Sequence, residues 1–248
     1  MDHWLQIGVK GSAIWPERET EIEFGGYKLL LKPAKKDTEQ SVHINLIGIS
    51  QEEALTLINR FLSALSWCDD QPMENIYGWS GNPVPVPVPR AARALGSSIA
   101  FPFGRTVEVS DEAKLALALY REARSINSVP YEFLGYFKIL NIFWNDKFQK
   151  TGTSKYNELI DGIRITLPQI TCHLAKERIG KLSLEQADLA TYLYESGRCA
   201  VAHAYSKPLV DPDNIKDLHR LSSDMWIIKA IAEHLMVSRL NLSRSIIK

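Results

Sequence analysis

From Asn82 to Pro89 the chain reads NPVPVPVP, with four prolines at alternate positions. Each proline fixes φ near −65° and removes a backbone donor, so this stretch is neither a helix nor an inner strand and runs extended. We read it as a strut rather than as a proline-rich ligand for a partner domain. It also divides two patterns. Ahead of it apolar residues alternate; beyond Ser110 they recur every three to four residues. The expected class is therefore α+β, a smaller β-rich α/β module over 1–108 followed by an all-α helical bundle over 109–248.

In the first module TEIEF, Gly25-Gly26 and YKLLL, closed by Pro33, predict a β-hairpin with a two-glycine turn. A third run, Ser41 to Ile49, alternates through Val42, Ile44 and Leu46. Ser50 is the predicted N-cap of one amphipathic helix, with Glu52 and Glu53 in its first turn and Leu55, Ile58, Phe61, Leu62 and Leu65 on one face. After Trp67 no period is evident.

In the second module Ser110 caps a helix carrying Leu115, Leu119 and Tyr120, and Pro130 opens another whose stripe is Phe133, Phe137, Leu140, Trp144 and Phe148. Helical spacing assigns this stripe to core, and likewise the cluster Tyr131, Tyr136, Phe137, Phe143 and Trp144, rather than to base stacking. Thr151 to Ser154 reads as a loop, and the stretch from Lys155 to Arg178 must break near Pro168. Ser183 with Gln186 forms a predicted capping box for a helix through Ala190, Leu193, Tyr194, Gly197, Val201 and Ala204. Asp211 or Asp213 starts the last helix, which ends near Arg239.

Composition excludes several classes. The 29 basic and 29 acidic side chains cancel, so the chain as a whole is not an electrostatic nucleic-acid binder. Cys68, Cys172 and Cys199 form neither a disulfide framework nor a zinc knuckle. Cys199 and His203 stand four apart on one helix face, but Cys172-His173 is their sole distant partner and no metal is expected. No GxGxxG or P-loop occurs, so no cofactor is expected either. No apolar run is long enough for a membrane span, and the start MDHWLQIGVKGS lacks a signal-peptide pattern, so a cytoplasmic location without membrane association is expected.

One segment carries chemistry: Glu195-Ser-Gly-Arg198-Cys199-Ala-Val-Ala-His203-Ala-Tyr205. A histidine titrates near neutrality and suits removal of a ribose 2′-OH proton, while an arginine fork suits the scissile phosphate. On an ideal helix the two side chains lie about 140° apart, so they do not share a stripe. Glu195, three residues before Arg198, is the local ion-pair partner expected for it.

This segment resembles the HEPN superfamily, helical bundles bearing an Arg-x4-6-His motif. Taken with LYREARSINSVPYEFLGYFKILNIFW, it is most similar to the methylamine-utilisation J (MauJ-like) group. The resemblance implies a metal-independent endoribonuclease acting through 2′-OH attack in a stress, toxin or phage-defence setting. Its catalytic residues would be Arg198 and His203, shared across a homodimer, with RNA as substrate and an antitoxin or defence protein as partner. Glu195, Cys199 and Tyr205 become supporting or regulatory positions, Tyr205 by analogy with toxins modified at that tyrosine. The resemblance departs at Cys199, where Asn is most common; that departure leaves a non-catalytic module binding RNA or a protein as the alternative. The group's label adds an accessory role in amine metabolism.

Overall fold

The computed structural model describes residues 3–87, 109–151, 154–203, 209–212 and 214–242. The chain forms two compact units, one holding residues up to Ser125 and the other running from Ile126 to Leu242.

The first unit is built on a five-stranded antiparallel sheet in the order β2-β3-β4-β1-β5, from β1 (Trp4–Gly11), β2 (Thr20–Phe24), β3 (Tyr27–Lys32), β4 (Ser41–Asn45) and β5 (Met73–Asn82). The hairpin β2–β3 turns at Gly25 and Gly26, whose φ values of 58° and 80° fit a primed two-residue turn and suit glycine. Two strands were not legible in the sequence, β1 and β5. Helix α1 (Gln51–Asp69) starts as expected. The Ser50 hydroxyl accepts from the Glu53 N–H and the Glu53 carboxylate accepts from the Ser50 N–H, a full capping box. Its buried face, Ala54, Ile58, Phe61, Leu62 and Leu65, packs with Leu5, Ile7, Val9, Leu29, Leu31, Val42 and Ile44 in one core.

Helix α2 (Asp111–Ser125), which the sequence grouped with the helical half, lies with the first unit. It buries Ala113, Ala116, Leu117, Tyr120 and Ala123, while Leu115 is exposed. Small alanines allow a close approach to α1. The Trp67 and Tyr120 rings meet edge to face at 5.1 Å, and the Tyr120 hydroxyl donates to Asp70 Oδ1 at 2.5 Å. Arg124 forms an ion pair with the Asp70 carboxylate at 3.2 Å and donates from Nη2 to the Asp70 carbonyl at 3.2 Å. The proline strut is described only to Pro87, and Pro83 to Pro87 forms neither helix nor strand.

In the second unit α3 (Val129–Leu140) begins with Pro130 in its first turn and buries Phe133, Tyr136, Phe137, Ile139 and Leu140. The predicted stripe ends at Leu140. Trp144 lies beyond the helix and packs over Gly162, where a Cβ would stand 2.2 Å from the indole, and Phe148 is exposed. A short hairpin, β6 (Gln149–Thr151) and β7 (Ser154–Tyr156), occupies the expected loop. As Pro168 requires, α4 (Glu158–Thr166) gives way to a single 3-10 turn, Leu167–Gln169, before α5 (His173–Leu182).

The expected capping box at Ser183 is corrected: Ser183 closes α5, its hydroxyl donating to Ile179 O. The N-cap of the next helix is Asp188, which accepts from the N–H groups of Ala190 and Thr191 and pairs with Arg164 of α4 at 2.7 Å. Likewise Asn214, not Asp211, caps the last helix, α8 (Ile215–Leu240), and Asp213 lies outside the described residues.

Helix α8 packs on α3 and α5 and carries the buried carboxylate of this unit. Asp224 is 1% exposed; it accepts from Arg178 Nε at 2.8 Å and from the Tyr192 hydroxyl at 2.9 Å, with Arg220 at 3.5 Å. Removing one partner of a buried pair strands the rest, so Asp224→Ala is expected to lower stability by about 3 kcal/mol, read from urea unfolding.

A second buried titratable group sits in the sheet. His43 is fully buried; burial, helped by the Lys32 charge and opposed by Glu19, pushes its imidazole from 6.5 down to about 4. The folded form stays neutral where the unfolded chain takes up a proton. Its contribution is therefore complete above about pH 6.5 and drains as pH falls toward 4, by about 3 kcal/mol in all. Unfolding measured from pH 7 to pH 4 is expected to show that loss, with a shallower slope in His43→Leu.

Candidate functional site

Residues 189–202 form one continuous helical segment of three parts. Helix α6 (Leu189–Tyr192) leads into a π-helical stretch, Leu193–Cys199, and then into the single turn α7 (Ala200–Ala202). Gly197 explains the widened stretch. A Cβ there would lie 2.5 Å from Phe133 Cζ and 2.6 Å from Cε1, so the α3 ring occupies the space a side chain would need. π-helical turns occur often at functional sites, and this one ends on the Arg198-Cys199 pair.

The structure brings Arg198 to a residue the sequence did not single out. Its guanidinium forms an ion pair with the carboxylate of Asp146, on the loop after α3, rather than with Glu195, which is exposed. The Arg198 Cζ lies 5.7 Å from the Tyr194 ring centroid, within cation–π range. Tyr194 is fixed in turn: its hydroxyl donates to Asp146 O at 3.2 Å and its ring meets Phe148 edge on at 6.1 Å. Burial pushes the Tyr194 hydroxyl above its usual range, and neighbouring Cys199 adds to this against the Arg198 charge. Arg198 and Asp146 each keep 23% of their side-chain surface exposed, so the pair is reachable from solvent.

His203 does not continue the helix as expected. The last helical residue is Ala202; His203 has extended backbone, φ −127° and ψ 122°, and its N–H donates to Cys199 O at 3.0 Å. It is partly buried, as is the free thiol of Cys199. The chain returns at Val210, whose N–H donates to Ala200 O at 3.2 Å. The angular relation of an ideal helix therefore does not apply to Arg198 and His203. A π-helical turn and a helix end lie between them. Tyr205 falls outside the described residues.

Among the described residues no group of three or more His, Cys, Asp or Glu side chains is placed to hold a metal ion. Asp146 and Tyr194 are the functional candidates that sequence reasoning missed. Asp146 lies 52 positions from Arg198, and no periodicity marks it.

The family model described as "Methylamine utilization protein MauJ" matches residues 116–237, slightly less than half of the chain. The match runs from within α2 through most of α8 and includes Asp146, Tyr194, Arg198 and His203. This part of the chain is thus MauJ-like. No curated protein and no solved structure matches the chain. Among the described residues no helix is long and apolar enough to cross a membrane.

The Gly197 contact is directly testable. Gly197→Ala forces a methyl group into the Phe133 ring and is expected to cost about 2 kcal/mol, as overpacking does. Phe133→Leu in the same chain is expected to recover part of that loss, measured by chemical denaturation of the single and double variants.

Proposed function

We propose that the protein is a HEPN-type, metal-independent endoribonuclease that cleaves single-stranded RNA, with Arg198 holding the scissile phosphate and His203 acting as base. The observation that supports this best is that Arg198, partly exposed, already grips an oxyanion, the Asp146 carboxylate. A guanidinium held this way offers the same donors to a phosphate. In the reaction His203 takes the proton from the 2′-OH and the 2′ oxygen attacks phosphorus. The bond to the 5′ oxygen breaks, and that oxygen leaves with a proton from an acid, which gives a 2′,3′-cyclic phosphate and a 5′-hydroxyl. DNA lacks the attacking group and stays intact. A homodimer that sets two copies of Arg198 and His203 around one linkage supplies both base and acid. Such an activity suits a stress, toxin or phage-defence role restrained by an antitoxin or a defence partner.

The Asp146 pair also favours a second reading, a non-catalytic module that binds RNA or a protein partner, because the guanidinium charge is already met and Cys199 replaces a polar side chain. The description of the matching family adds an accessory role in amine metabolism. That role predicts slower growth on methylamine when the gene is deleted.

The experiment is incubation of the purified chain with single-stranded RNA in EDTA. Cleavage to cyclic-phosphate ends is expected. His203→Ala is expected to reduce the rate by about 10²-fold or more and Arg198→Ala by a similar factor. RNA retarded in a gel without cleavage selects the non-catalytic module, and cleavage unchanged in His203→Ala refutes the assignment.

A further inference from the structure

Among the described residues five arginines are partly buried, and four of them meet carboxylates. Arg124 pairs with Asp70, Arg178 and Arg220 with Asp224, and Arg198 with Asp146. The fifth, Arg121 on α2, pairs with none. Its guanidinium makes one long contact, Nη1 donating at 3.5 Å to the side-chain oxygen of Asn59 on α1, and its Nε is buried without a hydrogen-bond partner. Burial pushes this guanidinium below its usual range, opposed only by the charge of Glu122, the next residue on α2, which is itself exposed. A charge taken from water without a counter-charge costs stability, which is why the other four are paired.

Helix α1, helix α2 and the edge strand β5 meet at this point. Asn75 of β5 stands opposite Val9 of the core, so it faces the α1 side of the sheet, and its Nδ2 donates at 2.8 Å to the same Asn59 oxygen. One acceptor therefore serves both the guanidinium and the Asn75 amide. Arg121 carries five N–H groups and each side-chain amide two, of which these contacts use one from Arg121 and one from Asn75. Donors are in surplus. Arg60, which follows Asn59 on α1, is exposed, and its charge acts on Asp111 of α2, so a second cation stands at the seam of the two helices.

We propose that Arg121, with the side-chain amides of Asn59 and Asn75, binds a phosphate group. A guanidinium fork matches two phosphate oxygens, and donors arriving from three separate elements suit a tetrahedral anion better than a planar carboxylate. Access fits: Asn75 is exposed, and Asn59 and Arg121 each keep part of their surface in solvent, so the anion sits on the rim of the sheet and needs no cavity. The phosphate belongs to a small phosphorylated ligand or to the backbone of an RNA strand. This inference stands apart from the assignment of Arg198 and His203.

Calorimetric titration at constant ionic strength tests it, in the full chain carrying Arg198→Ala so that the other candidate phosphate-holding arginine is absent. The probes are inorganic phosphate, ribose 5-phosphate, ribose, and tetra-uridylate without terminal phosphates. Saturable binding of at least one phosphate-bearing probe is expected, and none of ribose. Arg121→Met is expected to lower the affinity at least about tenfold. The same change removes a partly buried charge that has no counter-charge, so its melting temperature is expected to equal or exceed that of its parent, which separates lost binding from lost folding. Asn75→Ala, at the exposed end, is expected to weaken the probe about threefold or more, and Glu122→Gln, which removes the neighbouring negative charge, to tighten it. Binding of either small phosphate assigns a free phosphorylated ligand, and binding of tetra-uridylate alone assigns an RNA strand. No binding of any phosphate-bearing probe, or undiminished binding in Arg121→Met, overturns the proposal. Should Arg121→Met not fold, unchanged affinity in both Asn75→Ala and Glu122→Gln overturns it. RNA cleavage does not enter the readout, so the nuclease reading and this one can fail independently.

Discussion

Phe133 fills the volume that a side chain at position 197 would occupy, and the candidate site depends on that contact. A helix carrying an alanine there would have to move away from α3. With glycine the two elements close, and the backbone from Leu193 to Cys199 widens into a π-helical stretch. That stretch sets where the guanidinium of Arg198 emerges, beside the loop that carries Asp146 and over the ring of Tyr194. The packing contact and the electrostatic one are consecutive in sequence, at Gly197 and Arg198, so a change in the first is transmitted directly to the second.

Three of the buried or partly buried titratable groups differ in kind. Asp224 is surrounded by Arg178, Arg220 and Tyr192 and is sealed from water, so it fastens α8 to the neighbouring helices and leaves no acceptor idle. Asp146 meets a single guanidinium at the surface and stays within reach of solvent. His43 is sealed, carries no charge and keeps one nitrogen unmatched. The first has the character of a structural fastener, the second of a surface pair open to solvent, and the third of a neutral polar group sealed in the sheet.

What could be read from the sequence was what local chemistry decides. The turn at Gly25-Gly26, the Ser50 N-cap, the break at Pro168 and the early Pro130 of α3 each depend on residues within four positions. The failures share a different origin. Strand β5, MENIYGWSGN, alternates poorly, and its place beside β1 comes from pairing with residues some 60 to 80 positions earlier. Ser183 and Asp188 are equally good caps by type, and Arg164, brought from α4, stands with Asp188. Helix α2 is attached to the sheet unit by Asp70, which sits at the left-handed end of α1 and takes both Tyr120 and Arg124. Glu195 was the near partner for Arg198, yet the distant Asp146 holds it, as tertiary contacts override an exposed i, i+3 pair worth only a few tenths of a kcal/mol.

Whether Asp146 silences Arg198 or only tempers it is a matter of magnitude. An ion pair that keeps about a quarter of each side chain in solvent is screened by water and salt and contributes about 1 kcal/mol or less. A ligand that displaces the carboxylate therefore loses at most a factor of about five to ten in affinity. An RNA strand offers more than one phosphate, and each cation it meets releases counterions, so a penalty of that size is within what polyanion binding offsets at low salt and exceeds at high salt. If the chain binds RNA as proposed, the carboxylate acts as a weak competitor that lowers affinity modestly without closing the site. In the proposed reaction the imidazole at the helix end would be untouched by this competition, since its part is proton transfer rather than holding the phosphate. Within the proposed function, the ion pair bears on how tightly RNA would be held, and the chemistry would rest on His203 and on what a second copy of the chain would set beside it.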